Sequence, residues 1–149
     1  MEEEEKVRLS LLLKMVNNMF ERELNKKTYK IELTSSQCRI IGYLNMHKDK
    51  AINPIDIERE FCLKRPTVTG VLKRLEDKGF VEISKNSIDK RYKEIKLTDK
   101  ANNLNDEMKE NLLLSEKTLY KNLTEADKDE LYRILNIMLN NFKWKRFKI

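Results

Sequence analysis

The sequence predicts a mainly α-helical fold with one small β-hairpin. Only 3 Gly and 2 Pro occur among 149 residues, and a chain so poor in helix-breaking residues favours long helices. Six segments carry apolar residues at the three- and four-residue spacing of one helix face, and two short segments alternate apolar and polar residues as strands do. With 40% hydrophobic residues, the chain can form a core, and its length fits one domain with an attached oligomerisation element.

The first predicted helix covers residues 6–25. Its apolar residues extend beyond one face, because Leu11 and Met15 flank the main stripe, and such a helix is expected to be buried, here by a second chain. The second helix begins at Thr34, which with Gln37 has the spacing of a capping box. Residues 48–53 are predicted to form a turn or a very short strand.

Two further helices follow in close succession. Asn53 and Pro54 predict the start of a short third helix, since asparagine caps helices well and proline suits the first helical position. That helix should end near Cys62, and a fourth helix should run from Pro66 to a C-cap at Gly79. The stripe predicted to bury the fourth helix consists of Val68, Val71, Leu72 and Leu75.

The period then changes from helical to alternating. Residues 81–83 and 95–97 predict two short strands around the polar stretch 84–92, and so a hairpin with an extended tip. Thr98 and Thr124 are placed to cap two long C-terminal helices.

Two helices joined by a short turn and followed by a hairpin are typical of a winged helix-turn-helix. In that arrangement the second helix enters the major groove of DNA, and the hairpin, or wing, lies over the backbone or minor groove. The sequence therefore predicts a single domain of residues 1–149, in which 34–98 form the winged lobe. Residues 1–30 and 99–149 are predicted to form a helical dimerisation region.

The charge distribution points to a polyanionic partner. The net charge is +6 and the pI is about 9.2. Residues 64–100 hold eleven basic and six acidic residues, so most of the excess lies in a quarter of the chain. A basic patch on a recognition element is the footprint expected for phosphate binding.

The outward face of the fourth helix carries small or hydroxylated residues first and cations later. Small residues let a helix N-terminus approach bases and phosphates, and threonine can contact either. In and before this helix, the candidate DNA-binding residues are Lys64, Arg65, Pro66, Thr67, Thr69, Gly70, Lys73 and Arg74. The wing contributes Lys85, Asp89, Lys90 and Arg91.

These segments resemble the MarR family of transcription regulators. The resemblance covers roughly residues 6–142 and begins with Leu33, Thr34 and Gln37, which match the start of the family's second helix. The recognition-helix signature, the wing's Asp-x-Arg element and the strand leaving the wing are matched by residues 65–70 (RPTVTG), 74–80 (RLEDKGF), 89–91 (DKR) and 95–98 (IKLT). Two positions depart from the family: Ala101 stands where glycine is frequent, and Lys64 where serine or threonine often caps the helix.

The resemblance implies a homodimer whose terminal helices interlock, so that two winged lobes bind a pseudo-palindromic operator, usually as a repressor. It places Thr67, Thr69 and Lys73 in the major groove. It places Arg91 in the minor groove, with Asp89 bracing the wing. It also implies a small phenolic or lipophilic effector bound between the dimer helices and the lobe.

Other function classes fit the sequence less well. An enzyme is disfavoured because the chain has one histidine, no nucleophile elbow and no glycine-rich phosphate loop, so no catalytic residue, metal ligand or cofactor is predicted. RNA binding is disfavoured because no stacking aromatics are interleaved with the basic stretch. The alternative kept open is a helical protein–protein module, such as an anti-repressor, that retained this fold without binding DNA.

The remaining expectations concern location and single residues. No stretch approaches the ~20 apolar residues of a membrane span, and the acidic segment 2–5 is unlike a signal peptide; we expect a cytoplasmic protein that does not contact membranes. Cys38 is expected to be an inert, buried thiol and His47 a surface residue. Cys62, near Lys64 and Arg65, is a candidate oxidant sensor. The acidic segment 2–5 is expected to attract Lys143, Lys145, Arg146 and Lys148 across the dimer axis.

Overall fold

The computed structural model describes residues 8–142, and it confirms the mainly helical class with one β-hairpin. In chain order the elements are α1 (Leu9–Thr28), a single 3₁₀ turn (Tyr29–Ile31), α2 (Ser35–Met46), α3 (Pro54–Phe61), α4 (Arg65–Asp77), β1 (Val81–Lys85), β2 (Lys93–Leu97), α5 (Asp99–Leu119) and α6 (Glu125–Asn141). Within the described residues, no helix combines the length and apolar character needed to cross a bilayer. The charges expected to meet at the chain ends lie outside these residues.

The predicted helix starts are confirmed at side-chain level. Thr34, Asn53 and Thr124 each form a complete capping box with the residue three positions later. The Thr98 hydroxyl accepts a hydrogen bond from the amide of Ala101 at the start of α5. These bonds satisfy amides that no helical carbonyl can reach. The boundaries differ little: α1 ends three residues later than expected and α4 begins one residue earlier.

The core of the winged lobe lies between α2, α3, α4, the hairpin and the first half of α5. The strands pair in an antiparallel register that places Ile83 opposite Ile95. Ile52 forms an isolated bridge to Ile95 after a turn, in agreement with the turn or very short strand expected for residues 48–53. Gly79 follows α4 with φ of 79°, as expected of a residue that ends a helix in the left-handed conformation.

The helices outside this lobe bury little. Along α1 only Leu24 and Thr28 are buried, and the start of α2 is tied to α1 because the Ser35 amide donates to Asn25 Oδ1 at 2.7 Å. Within its span, α6 has no buried residue at all. Large exposed apolar side chains on these helices and the end of α5 include Leu9, Leu11, Leu13, Met15, Val16, Met19, Leu113, Leu114, Leu131, Leu135 and Ile137.

The expectation for His47 was wrong. The residue is 8% exposed, its Nδ1 lies 2.8 Å from the Tyr43 carbonyl oxygen, and its ring centroid lies 4.4 Å from that of Tyr43. His47 is the C-cap residue of α2 and faces the interior of the lobe. The polar residues that follow it in the sequence gave no sign of this burial.

Candidate nucleic-acid interface

The outward face of α4 is exposed as predicted. Val68, Leu72 and Leu75 are buried in the lobe, and because an α-helix repeats every 3.6 residues this turns the opposite face to solvent. The side chains of Pro66, Thr67, Thr69, Lys73 and Arg74 are all exposed, and Gly70 is half-buried.

Gly70 has no close neighbour that would exclude a side chain. A Cβ placed on it would meet only the Arg74 Nη1 atom, at 3.9 Å, within the part of the chain that is described. That separation is an ordinary contact with the end of a flexible side chain. The packing of the lobe thus gives no reason for glycine at this position, and a role in DNA approach stays a prediction.

The N-terminus of α4 faces solvent without a side-chain cap. Lys64 occupies the cap position and accepts no capping hydrogen bond through its side chain, as expected from its lack of an acceptor. The next cation, Arg65, lies with its Nε 3.4 Å from Glu58 Oε1 on α3. Two cations and uncapped backbone amides therefore stand at one exposed helix end, where a phosphate would be stabilised.

Lys73 is held by an acidic residue that the sequence analysis left out. Its Nζ lies 3.2 Å from Asp77 Oδ1, one helical turn later, and the two side chains are 69% and 61% exposed. An exposed i,i+4 pair is worth only about 0.3–0.5 kcal/mol. Lys73 can therefore exchange Asp77 for a phosphate at little cost. The four-residue spacing was the signal that could have predicted the pair.

The wing tip is a turn ordered by side chains. Asn86 Oδ1 accepts the amides of Ile88 at 2.9 Å and Asp89 at 3.0 Å. The Tyr92 amide donates to the Asp89 carbonyl at 3.1 Å, and the Asn86 amide donates to the Tyr92 carbonyl at 2.8 Å. The tip therefore holds its shape although its side chains are largely exposed.

Arg91 and Asp89 form a two-pronged ion pair at this tip. Arg91 Nε donates to Asp89 Oδ1 at 3.0 Å and Nη2 donates to Oδ2 at 2.7 Å, while the Arg91 amide also donates to Oδ1 at 3.1 Å. These hydrogen bonds lower the pKa of Asp89 and raise the pKa of Arg91. The Asp89 carboxylate therefore reaches Arg91 within the turn at the wing tip, through an Asx-type turn.

The other wing cations flank this pair. Lys85 and Lys90 are exposed, and Lys85 stands directly opposite Lys93 in the strand register. Like charges at facing positions repel each other, so a polyanion bound here would relieve that repulsion. Lys93 was not among the predicted site residues. The antiparallel register places it beside Lys85 at the base of the wing tip.

Two lysines of the basic segment turn away from this surface. Lys78 and Lys100 hydrogen-bond to carbonyl groups of the lobe, so the basic segment of the sequence is not one continuous cationic patch in space.

The cysteines occupy different environments. Burial raises the pKa of the Cys38 thiol to about 11, which fits the expected inert residue. Cys62 is exposed and has a left-handed backbone with φ of 53° in the turn before α4. Sensing by Cys62 stays a prediction.

The fold and the exposed helix and wing define a winged helix-turn-helix protein. The sequence profile of the MarR family matches residues 33–93. The transcription regulator MarR from Oenococcus oeni is 31% identical, with 89% of this chain and 99% of that one aligned at a TM-score of 0.78. A mutant MarR from Escherichia coli, solved in complex with operator DNA, is 26% identical over 88% of this chain and 93% of its own, also at a TM-score of 0.78.

A curated relative extends the match. The transcriptional repressor IacR from Pseudomonas putida is 23% identical over 131 residues, which are 88% of this chain and 77% of that protein. The chain belongs to the MarR family, and it is a transcription regulator of the winged helix-turn-helix class.

Proposed function

We propose that this regulator binds duplex DNA sequence-specifically as a homodimer and represses transcription from a pseudo-palindromic operator in the cytoplasm. The observation that carries the proposal is the outward face of α4, where small and hydroxylated residues precede cations beside an ordered basic wing. Thr67, Thr69 and Lys73 would meet the major groove, and Arg91 would meet the minor groove. No catalytic step is assigned to the protein.

Selection from a random duplex library tests this function without knowledge of the operator. The wild-type chain should enrich two inverted half-sites whose centres are separated by about one helical turn or a multiple of it. Lys73→Ala should weaken binding to the selected duplex. If Lys73 contacts phosphate, the slope of log affinity against log salt should fall by about one for each site. A wild-type chain that enriches no sequence would favour the protein–protein module.

The homodimer is proposed from the apolar side chains that the single chain leaves exposed. They lie on α1, at the end of α5 and on α6, which is where the family resemblance puts the interlocking helices. Burial of apolar surface is favourable in proportion to its area, and no residue of α6 is fully buried in the single chain.

Truncation and light scattering test this assembly. Removal of residues 1–24 deletes most of α1 and should give a monomer or an aggregate, whereas the full chain should give a dimer. A truncated chain that remains a soluble dimer would contradict the assignment of α1 to the interface.

A cavity of about 240 Å³ supports the proposal of a phenolic or lipophilic effector. Its lining comes from α1, α2 and the region where α5 ends, and consists of Leu13, Val16, Asn17, Phe20, Arg39, Glu116, Leu119 and Tyr120. The Arg39 guanidinium carbon lies 5.4 Å from the Phe20 ring centroid, so an apolar wall stands beside a cation. A ligand with an aromatic or aliphatic body would match the apolar wall, and an acidic group on it would compete for Arg39 with Glu21, whose Oε1 lies 3.7 Å from Arg39 Nε.

Thermal shift and DNA release test the effector, with 4-hydroxybenzoate and decanoate as probes. Binding of either probe should raise the melting temperature and weaken binding to the selected duplex. Arg39→Met should reduce the response to both acidic probes. An unchanged response in this variant would place the ligand elsewhere.

A further inference from the structure

The residue that directly follows the recognition helix α4 is a lysine whose side chain points toward the start of α2. Lys78 is the C-cap of α4. It follows Val71 by seven residues, which is about two helical turns, so both project from the same side of the helix. Val71 is buried, whereas the outward face is marked by Lys73 and Asp77. The side chain of Lys78 therefore points away from the surface proposed to meet DNA.

The ammonium group of Lys78 binds the start of α2. Its Nζ donates to the carbonyl oxygen of Glu32 at 2.6 Å and to Gln37 Oε1 at 3.3 Å. The Gln37 side-chain oxygen already accepts the Thr34 amide at 3.0 Å in the capping box of α2. One amide oxygen thus joins the N-terminus of α2 to the C-terminus of α4, although the residues are 41 positions apart.

The same turn is held from the opposite side by the start of α5. Lys100 Nζ donates to the Lys78 carbonyl oxygen at 2.7 Å, and the Thr98 hydroxyl donates to the Gly79 carbonyl oxygen at 2.6 Å. Lys100 also lies 4.5 Å from the Phe80 ring centroid. The end of the recognition helix is therefore hydrogen-bonded to the starts of two other helices, α2 and α5. Lys78 supplies the hydrogen bonds to the start of α2.

We propose that Lys78 is a positioning residue for DNA recognition, which sets the angle of α4 on the lobe and does not contact phosphate. This inference rests on the proposed DNA binding. A helix of 13 residues is about 20 Å long, so a tilt of only about 5° at Lys78 would displace the N-terminal end by about 2 Å. Recognition requires side chains held to within about 0.5 Å, and loss of the Lys78 contacts should therefore affect sequence reading most.

Lysine footprinting of the wild-type protein tests directly whether Lys78 lies outside the surface that contacts DNA. Reductive methylation followed by mass spectrometry is compared with and without the duplex selected by the wild-type chain. Lys73 and Lys90 should be protected by the duplex, whereas Lys78 should react at the same rate in both states. Protection of Lys78 together with Lys73 would overturn the inference. If no lysine is protected, it is the proposed DNA binding that fails.

A pair of lysine variants tests the role. Lys78→Met should lower affinity for the selected duplex about 10-fold, leave affinity for a random duplex within twofold and keep the wild-type salt slope. The matched variant Lys73→Met removes the same charge from the outward face and should reduce the salt slope. Equal losses of Lys78→Met on both duplexes with a reduced slope would show a phosphate contact and overturn the proposal.

Gln37→Glu provides a measurement that does not depend on the folding of Lys78→Met. A carboxylate at position 37 should pair with Lys78 and retain binding to the selected duplex within twofold at neutral pH. Lys78→Arg preserves a donor and should also retain most of the sequence preference. Loss of preference in both variants, with circular dichroism unchanged, would show that the Lys78 contact does not set recognition.

Discussion

The winged lobe and the terminal helices of this chain differ in how much of their apolar surface the chain itself covers. In the lobe, Ile41, Ile57 and Leu75 are completely buried, and each helix of residues 34–98 packs against others. On α6, Leu131 and Leu135 remain 40% and 36% exposed. The comparison indicates that the lobe, together with the start of α5, covers its own core, whereas the terminal helices keep the apolar surface that the proposed dimer would bury.

The largest expected effect comes from the lobe core. Leu75→Ala should lower the free energy of unfolding by about 3–5 kcal/mol, since it leaves a cavity in a closed core. The same substitution at Leu131 should cost less, and its effect on the melting temperature should depend on protein concentration because it weakens assembly. Chemical denaturation at two protein concentrations checks both. If both variants lost a similar free energy of unfolding, independent of protein concentration, the lobe and the terminal helices would not differ in how their apolar residues are covered.

The next effect concerns the dimer. Leu135→Asp should raise the dissociation constant of the dimer about 100-fold, about 2.7 kcal/mol, since a carboxylate would be buried at the interface. Analytical ultracentrifugation measures the constant, and Asn140→Asp is the control, because Asn140 is already exposed and polar on the same helix. If Leu135→Asp sediments as the wild type does, this face of α6 is not the interface.

A substitution in the wing should change DNA affinity without changing the stability of the lobe or of the dimer. Arg91→Ala should reduce affinity for the selected duplex about 10-fold, about 1.4 kcal/mol, and leave the melting temperature and dimer constant unchanged. The loss should be greatest on A·T-rich flanks, because an arginine suits a narrow minor groove, and Asp89→Ala should do less harm. Anisotropy titrations at fixed salt check this. Equal losses on A·T-rich and G·C-rich flanks would mean that Arg91 contacts only phosphate.

The smallest effect is expected at Asp77. Asp77→Asn should increase affinity for duplex DNA about threefold, about 0.6 kcal/mol, because it releases Lys73 and removes a carboxylate from the outward face. Glu76→Gln removes the same charge from the neighbouring position and serves as the control. An equal gain in both variants would reflect net charge alone and not the Lys73 pair.

Local patterns in the sequence determined most of the fold. The capping residues Thr34, Asn53, Thr98 and Thr124 mark helix starts because a cap acts within three residues of its own position. The buried stripe of α4 followed from helical period alone, and so did the exposure of Thr69 and Lys73. These features depend on contacts between near neighbours in the chain, which sequence spacing describes directly.

Only the tertiary structure decided which of the basic residues belong to the outward surface. Lys73 lies in α4 and Lys78 follows the end of the same helix, but Lys73 pairs with Asp77 on the outward face and Lys78 binds Gln37 at the start of α2. His47 likewise became buried through its place at the end of α2. The Lys78–Gln37 contact joins residues 41 positions apart, and the packing angle of two helices is specified by no local pattern. Spacing therefore predicts which face of a helix is buried, but not which distant group that face meets.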